Sequence, residues 1–487
     1  MYSVATRQRG KAQGNVEARP VPVPLPLSGI FSDASEGEVA GLFAAELENF
    51  RSDGVVLKLR RSVKSNGPPK IIIQRVPYEF GGDPRYIELR PDRAQCLDGN
   101  GLMVQLMRDF TGGVMSAYIS SHAVMVDGMG DPVLYSGTSM FRGIFTTLTT
   151  VNPSEFDGVI AHHDRLYFWK TNGGLEFYYG DVGAVTGPLA RFPLDRLGNI
   201  TGQIIAMAPM TIDAGNNTND VLVIFTSTGH IVIYSGLDPG SDFDLVSRLK
   251  IAPPLSRFCA ASVGGDLWIV TSAGIVSVAD AMQRGVLALK NKITRPITPE
   301  IMKLVKTGGE WQLHAAADGS HVVLNHWDGA AAKQFIYEIE TSSWTTANYF
   351  SRYWHNLALD TDFTSGTGLL NVLSEDDDVT ELITATWVSS WFRVGGSGQI
   401  AWLKPTIIAK GPLTVTLTVL ADHNETATDI AEASQTITIE PERASVGGSR
   451  VSLDEIIAVG AVGSTFQLRI EITAAWAKIV NLTAGVI

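Results

Sequence analysis

Cysteine is scarce in this chain of 487 residues, which contains only Cys96 and Cys259. Two thiols are too few for a disulfide scaffold or a Cys-rich zinc site. They suit folding in a reducing cytoplasm, where we expect both to stay free.

Long apolar runs are also missing. No stretch reaches the ~18 apolar residues of a membrane helix, and the basic N-terminus lacks the apolar core of a signal peptide. We therefore expect no membrane-spanning segment and no export leader.

Motifs that carry enzyme chemistry are absent as well. The sequence has no Walker loop ending in Gly-Lys-Ser/Thr, no Gly-x-Ser-x-Gly elbow and no His-Glu-x-x-His pair. It also lacks the Ser-x-Asp-x-Gly-x-x-Trp turn of sialidase-like proteins, which excludes the best-marked class of glycosidase. We predict that the protein is not an enzyme and has no catalytic residue, metal ligand or cofactor site.

Three polar clusters were weighed as binding sites, and each is better explained as a turn or loop. His162 and His163 are adjacent, and neighbours on a strand point to opposite faces, so a shared metal is disfavoured. Residues 213–220 lack the distal Glu of a calcium loop, and the acidic run 375–378 is typical of a solvated linker. Gly128 and Gly130 lack the third glycine of a nucleotide loop and indicate a turn.

Positive charge is in deficit, with 38 Lys and Arg against 50 Asp and Glu, a net charge of -12. Affinity for phosphate comes mainly from Lys and Arg contacts, so this balance argues against a general nucleic-acid binder. Only 18% of residues are charged and 45% are hydrophobic. This composition favours an oligomer that buries surface against its neighbours.

Basic residues are concentrated between residues 51 and 75. The segment is either a solvated strand-and-loop surface or an edge that faces an acidic partner or nucleic acid. Its seven cations are Arg51, Lys58, Arg60, Arg61, Lys64, Lys70 and Arg75.

The N-terminal part predicts an extended arm and one helix. Prolines at alternate positions in residues 18–28 favour polyproline II, which holds an extended shape without internal hydrogen bonds. We expect this arm to dock on another subunit. Residues 38–50 carry apolar side chains at roughly helical spacing, which predicts a short helix.

A repeated unit follows, in which an apolar strand, a tight turn ending in glycine and a second apolar strand succeed one another. Its clearest copies turn at Gly174, Gly229, Gly274 and Gly319, the last three 45 residues apart. Weaker copies turn at Gly82, Gly130 and Gly366. A period near 45 suits four-stranded propeller blades, so we predict an irregular β-propeller of about six or seven blade-like units.

The last hundred residues have a different pattern. Residues 413–420 and 466–472 alternate apolar and polar side chains, as strands with one buried face do. We therefore predict a mainly β protein with a proline-rich arm over residues 1–37, a propeller-like domain over 38–379 and a C-terminal β-sandwich over 380–487.

Several stretches together resemble a bacteriophage family, the tail hub, nozzle or packaged-DNA stabilisation proteins of short-tailed phages. The first stretch is the proline-rich arm with Leu47-Glu-Asn-Phe50 and the hydrophobic run that ends at Arg60. The others are His163-Asp-Arg-Leu-Tyr-Phe168, Phe177-Tyr-Tyr179, residues 220–227, 233–239 and 265–274, Ala385-Thr-Trp387-Val-Ser-Ser-Trp391-Phe392 and Trp402-Leu-Lys404.

The resemblance implies a structural virion protein, made in the bacterial cytoplasm and placed in the tail. It implies a homo-oligomeric ring, commonly a hexamer, that contacts the portal or adaptor protein and tail fibre or tailspike proteins. The arm would then dock on a neighbouring subunit or the adaptor. Double-stranded DNA would be retained in the lumen and later pass through it without sequence specificity, and acidic walls would keep it from adhering.

Two other functions stay open. One is a receptor- or glycan-binding propeller, including a depolymerase, which would expose aromatic side chains beside carboxylates in a cleft. The other is a cytoplasmic propeller that scaffolds protein partners.

Overall fold

The computed structural model describes most of the chain. It covers residues 18–31, 43–65, 73–80, 83–90, 94–97, 110, 113–213, 218–284, 293–357, 360–365, 370–374, 381–393, 398–424, 426, 428, 430, 433–439 and 450–487. Five short strands come first: β1 (Arg19–Pro22), β2 (Ala44–Glu48), β3 (Phe50–Ser52), β4 (Leu57–Leu59) and β5 (Ser62–Ser65).

Seven small units then follow one another, each built mainly from neighbouring strands in the sequence, and most of their strand pairs are antiparallel. The first has β6 (Gln74–Phe80), β7 (Asp83–Leu89) and β8 (Ala94–Leu97), and the second β9 (Met115–Ile119), β10 (His122–Val126), β11 (Val133–Tyr135) and β12 (Met140–Arg142). The third has β13 (Phe145–Thr147), β14 (Gly158–His162), β15 (Arg165–Trp169), β16 (Glu176–Tyr179) and β17 (Gly187–Pro193), and the fourth β18 (Ile204–Asp213), β19 (Thr218–Thr226), β20 (His230–Ser235) and β21 (Asp244–Lys250).

The last three units complete the propeller. The fifth has β22 (Ala260–Val263), β23 (Asp266–Thr271) and β24 (Gly274–Ser277), and the sixth β25 (Glu310–Ala315), β26 (His321–Trp327), β27 (Ala332–Glu338) and β28 (Ser343–Ala347). The seventh has β29 (Ser351–Leu357), β30 (Asp360–Ser365) and β31 (Leu370–Ser374). Helices α1 (Val278–Arg284) and α2 (Thr298–Thr307) lie between units five and six, and short 3-10 turns occupy Pro153–Glu155, Asp195–Leu197 and Arg295–Ile297.

The repeated glycines lie where the sequence predicts hairpins. Antiparallel strands flank Gly174, Gly229, Gly274 and Gly319, which confirms the repeat. Gly229 shows why glycine is needed: its φ is +87°, and an added Cβ would lie 2.1 Å from the carbonyl oxygen of Ile251. Gly130 also lies in a turn, whereas Gly82 and Gly366 are outside the described residues.

The units close into a ring because strands of successive units contact one another. These contacts join β9 to β14, β14 to β18, β18 to β22, β22 to β25, β25 to β29, and β29 back to β6. Units one and two share an apolar cluster that includes Val76, Ile87, Met125 and Tyr135. The last unit takes its fourth strand from the start of the chain, since β5 pairs with β31. The mainly β propeller architecture is thereby confirmed.

A buried polar network fills the seam between the first and last units. The Arg75 guanidinium donates to Glu88 Oε1 at 2.7 Å and to Asp362 Oδ2 at 3.1 Å. The Tyr86 hydroxyl donates to the same Asp362 oxygen at 2.5 Å, and Arg90 donates to Glu88 Oε2 at 2.9 Å. Arg75 and Asp362 are only 4% and 1% exposed. Mutual pairing compensates these charges for the loss of water.

The C-terminal region is a β-sandwich. Its strands are β32 (Ile383–Ser389), β33 (Gly398–Lys410), β34 (Leu413–Ala421), β35 (Ser434–Ile439), β36 (Arg450–Leu453), β37 (Ile457–Gly463), β38 (Phe466–Ala474) and β39 (Trp476–Val486). One sheet contains β33, β36, β37 and β39, and the other β32, β34, β35 and β38. Along β38 every second residue is buried, as its alternating sequence predicts.

The helix predicted for residues 38–50 is wrong in its described part, residues 43–50. These residues form β2 and the start of β3, and Leu47 pairs with Trp387 of β32. Asn49 has φ +59°, which interrupts any helix. Pairing with distant strands outweighs the local preference. The strands β2 to β4 join the sandwich sheets, so the propeller begins at β5 and not at the predicted residue 38.

The arm also differs from expectation. Strand β1 pairs with β39 of the same chain, and the Val23 amide donates to Leu482 O at 2.8 Å. Proline is tolerated there because β1 is an edge strand. The Ile30 amide donates to Trp344 O in the sixth unit. Docking on another subunit is therefore wrong for residues 19–31, while residues 1–17 lie outside the described part.

No helix in the described ranges is both long and apolar enough to span a membrane.

We expect the seam to dominate stability. Replacing Arg75 with Met should lower the free energy of unfolding in urea by about 3–5 kcal/mol, because Asp362 would lose its cation in a buried site. The matched control is Arg142→Met, which breaks the Arg142–Asp131 pair at 3.1 Å, where Arg142 is 64% exposed. That change should cost about 1 kcal/mol or less. Equal losses in the two variants would contradict the role of the seam.

We also expect stability to fall on mild acidification. Burial lowers the pKa of His162 and of His314 to about 4. Burial, with help from the Arg75 guanidinium, holds the pKa of His355 well below its usual range. The unfolded chain therefore binds more protons below about pH 6.5, and each such histidine removes about 1.4 kcal/mol of stability per pH unit there.

His355→Phe should make the dependence of unfolding free energy on pH shallower by up to one proton between pH 6.5 and 5. Above pH 7 the two curves should run parallel, since His355 is neutral in both states. An unchanged slope in the acid range would show that His355 is not the titrating group.

Candidate functional site

Asn49 lies at a joint where the N-terminal strands, the sixth propeller unit and the sandwich meet. Its amide donates to Thr346 O at 2.7 Å, and its side-chain Nδ2 donates to Thr384 O at 2.8 Å. Its Oδ1 accepts from Arg60 Nε at 3.1 Å and from the Asn348 amide at 3.3 Å. One buried side chain thus connects both parts of the molecule.

Arg60 extends this joint. Its Nη2 donates to Glu381 Oε1 at 2.9 Å, and its guanidinium carbon lies 4.3 Å from the ring centroid of Tyr349. Glu381 Oε2 accepts from the Val63 amide of β5 at 2.8 Å. The carboxylate of Glu381, next to the sandwich, therefore holds both Arg60 and the strand that closes the propeller.

A single sheet runs through the joint. Strand β28 of the sixth unit pairs in parallel with β2, and β2 pairs with β32 of the sandwich. Its paired residues Leu47 and Trp387 are both buried. A continuous sheet resists bending, so propeller and sandwich form one body at this point.

The basic segment turns out to be mostly internal to the chain. Lys58 pairs with Asp53 at 2.6 Å, Arg60 with Glu381, and Arg61 with Glu338 at 3.6 Å. Arg75 lies in the buried seam. Arg60, Arg61 and Arg75 are thus largely buried and not on a solvated face, whereas Lys58 and Asp53 form a pair at the surface, with side chains 30% and 35% exposed. Lys70 and the Lys64 side chain lie outside the described part.

A second candidate, called the mouth below, is a cavity of about 400 Å³ lined by residues at or near the starts of β22, β25 and β29. Arg257 bridges three units there: its Nη1 pairs with Asp157 Oδ2 at 3.1 Å, and its Nη2 donates to the Gly113 carbonyl. Gly113 has φ +67°, and an added Cβ would lie 2.5 Å from Arg257 Nη2. The positive φ favours glycine at this position, and a side chain there would also displace the end of Arg257.

Across the same cavity, Arg352 makes a two-pronged ion pair with Glu310. The Nε–Oε2 and Nη2–Oε1 distances are 3.2 and 3.1 Å. The Tyr353 hydroxyl donates to Glu310 Oε2 at 3.3 Å, and burial raises the pKa of Tyr353 to about 12. The mouth can therefore offer hydrogen bonds to a polar ligand only where these internal pairs open.

A larger, mostly apolar cavity of about 600 Å³ lies between the arm and the sandwich. Its lining includes Val21, Val23, Trp387, Phe392 and Val486. The apolar side chains of this cavity could contact apolar groups of a ligand or partner.

Of the polar clusters in the sequence, the histidine pair is the one whose residues are all described. His162 ends β14 and is buried, so it is not the surface residue expected, while His163 lies in the following turn with φ +47°. The turn lets the two rings approach to 4.0 Å despite their adjacency. Residues 214–217 and 375–378 lie outside the described part. Within the described ranges, no group of three or more His, Cys, Asp or Glu could hold a metal.

Comparison with known proteins gives only structural likenesses. No protein-family model and no curated protein sequence matches the chain. BamB from Moraxella catarrhalis is similar over 66% of this chain and 100% of its own, with 10% identity and a TM-score of 0.37. The β-propeller domain of Cps50 (Swd1) from Myceliophteria thermophila is similar over 65% and 100%, with 10% identity and a TM-score of 0.42. The WD40 β-propeller domain of Doa1 is similar over 65% and 96%, with 10% identity and a TM-score of 0.39.

Sequence reasoning missed Asn49, Arg75 and Arg257 as residues that connect separate units. Only Asn49 carries a local signal, since Asn inside an apolar strand-like run often marks a positive φ. The partners of Arg75 and Arg257 are distant in sequence, so no spacing reveals them.

We expect Asn49 to contribute more to the free energy of unfolding than its positive φ alone accounts for. Asn49→Ala should lower the free energy of unfolding by about 2–4 kcal/mol, because it strains a positive φ and leaves buried groups without partners. Asn49→Gly should cost less, since it removes only the side-chain bonds. The control is Asn172→Ala in an exposed turn with φ +67°, which should cost about 1 kcal/mol. A loss at Asn49 no larger than at Asn172 would refute the joint.

Proposed function

We propose that this chain is the ring-forming structural subunit of a short bacteriophage tail. In this role it surrounds the DNA channel, retains the packaged genome and guides its ejection. Its expected place is the virion tail, with the portal or adaptor and the fibre or tailspike proteins as neighbours. The β-propeller fold by itself is compatible with many functions.

One observation supports this function above the others. Residues from two widely separated stretches that resemble the tail family meet in the joint. Leu47, Asn49 and Phe50 come from the N-terminal motif, and Arg60 ends the same stretch. They meet Trp387, from the C-terminal motif, through the pairing of β2 with β32. A motif that fastens two domains together is useful to a protein whose function is its shape.

A ring makes a specific mechanical demand on its subunit. Each copy must hold its two contact surfaces at a fixed angle, since a head-to-tail contact closes only at a set rotation. The continuous sheet through β28, β2 and β32 and the bonds of Asn49 supply that rigidity.

The charge balance is consistent with this role. A net charge of -12 per copy is multiplied around a ring, and acidic walls focus a negative potential along a bore. DNA then passes with few counterion-releasing contacts. The described cations of the basic segment are held in internal ion pairs, which leaves fewer of them to hold phosphates.

The residues of the mouth favour a second candidate function, that of a receptor- or glycan-binding propeller. Its cavity combines Phe258, Trp311 and Tyr353 with the Glu310 carboxylate. Trp311 and Tyr353 are almost completely buried, however, and therefore present little ring surface for a sugar to stack on.

Measuring the mass of the purified assembly by native mass spectrometry tests the proposal. We expect a closed ring, with six copies as the expected number, whose image by electron microscopy has an open lumen. A chain that stays monomeric at micromolar concentration and binds or cleaves a polysaccharide would overturn the ring and favour the glycan function. Glu310→Gln separates the two, because it should leave the ring intact and weaken glycan binding.

A further inference from the structure

The propeller has an exposed edge at its fourth unit. Strand β21 ends its sheet and, among the described residues, pairs only with β20. Helix α1 contacts β21, yet five of the seven residues of β21 are exposed. Leu245 and Val246 are apolar members of this edge, and Val246 is 43% exposed. Exposed apolar strands of this kind mark contact sites.

The sandwich has a comparable edge. Strand β37, also seven residues long, pairs only with β33 in the part of the chain that is described. Val462 is 66% exposed, and Ile456, just before the strand, is 63% exposed. The molecule thus has two apolar edges in different parts, and no strand pairing joins them within the chain.

The two edges carry opposite net charges, since β21 has Arg248 and Lys250 against Asp244, while Asp454 and Glu455 precede β37. Lys250 ends β21, and Glu455 precedes β37; both are exposed, and neither makes an ion pair with any described residue. Nearby Arg248 donates to the Leu197 carbonyl at 2.8 Å, and Asp454 pairs with Lys404 at 3.3 Å, so these two are already engaged. Lys250 and Glu455 remain for an external partner.

The spacing along the two edges is compatible. Five residues separate Leu245 from Lys250, about 17 Å along a strand, and seven separate Glu455 from Val462, about 23 Å. The long side chains of Lys and Glu span the difference. If the two strands approach in antiparallel fashion, Leu245 therefore comes near Val462 when Lys250 meets Glu455.

Irregular backbone limits how the edges can meet. Val246 is an extra residue in β21 opposite Ile233 and Tyr234, and β37 has a bulge at Gly460, where φ is +73°. Bulges prevent a continuous hydrogen-bonded ladder and so protect edges from unlimited aggregation. Contact is therefore made through side chains, which favours one specific partner.

We propose that the β21 edge of one copy packs against the β37 edge of the next, with Lys250 of one paired with Glu455 of the other. The contact joins unlike surfaces, so it is head-to-tail and can repeat around a ring. This inference rests on the proposed ring function and identifies the surfaces that build it.

Charge reversal tests the pairing. Lys250→Glu and Glu455→Lys, made separately, should each raise the concentration at which half of the full-length chain is assembled by tenfold or more, measured by analytical ultracentrifugation. The double variant K250E/E455K should return to within about threefold of the natural protein, because the pair is restored with its signs exchanged. The control Lys306→Glu on α2 makes the same change in net charge as Lys250→Glu and should assemble normally.

Apolar variants give a second measurement. Leu245→Asp and Val462→Asp are at exposed positions, so folding should survive, checked by circular dichroism, while assembly should be lost. Two results would overturn the proposed contact but not the proposed ring. In one, every variant assembles as well as the control; in the other, the double variant fails to restore assembly. A natural protein that never assembles overturns the proposed function and this contact together.

Discussion

Closing the propeller depends on a contact between Arg75 and Asp362, residues 287 positions apart. Until it forms, the first unit leaves Arg75 and Glu88 beside an open interface, where burial would be costly. The pairing of β5 with β31 occurs at the same end of the ring. Loop closure over such a distance is entropically expensive, so the seam needs both a shared sheet and a fully paired polar network. The other units are joined by apolar packing and by polar contacts such as those of Arg257 and Arg352.

The seam and the joint are coupled through a short piece of chain. Asn49 and Arg60 hold the sandwich, and β5 begins two residues after Arg60. Glu381 bonds to both Arg60 and the Val63 amide, so one carboxylate takes part in fixing the sandwich and in closing the ring. Loss of either contact should therefore weaken the other, since residues in one network do not contribute independently to stability. This coupling links the propeller and the sandwich through shared contacts.

Charge is used mainly inside the molecule. Arginines 60, 75, 257 and 352 each connect different units or segments through carboxylates or carbonyl groups. Arginine suits this role because its planar guanidinium donates in several directions at once. The described surface also offers exposed apolar side chains such as Ile144 and Leu148, the two strand edges, the apolar cavity beside the arm and the polar mouth.

The strand-Gly-strand repeat and the alternating C-terminal pattern are local properties, because a positive-φ turn requires glycine and a half-buried strand requires a period of two. The sequence by itself therefore determined the propeller units, their hairpins at Gly174, Gly229, Gly274 and Gly319, and the sandwich. It could not predict that residues 43–59 would be strands of the sandwich sheets, that the arm would pair with β39, or that Arg75 and Asn49 would connect remote units. Those outcomes depend on partners hundreds of residues away, and only the tertiary structure decided them, since pairing energy between distant strands exceeds the small local preference for helix.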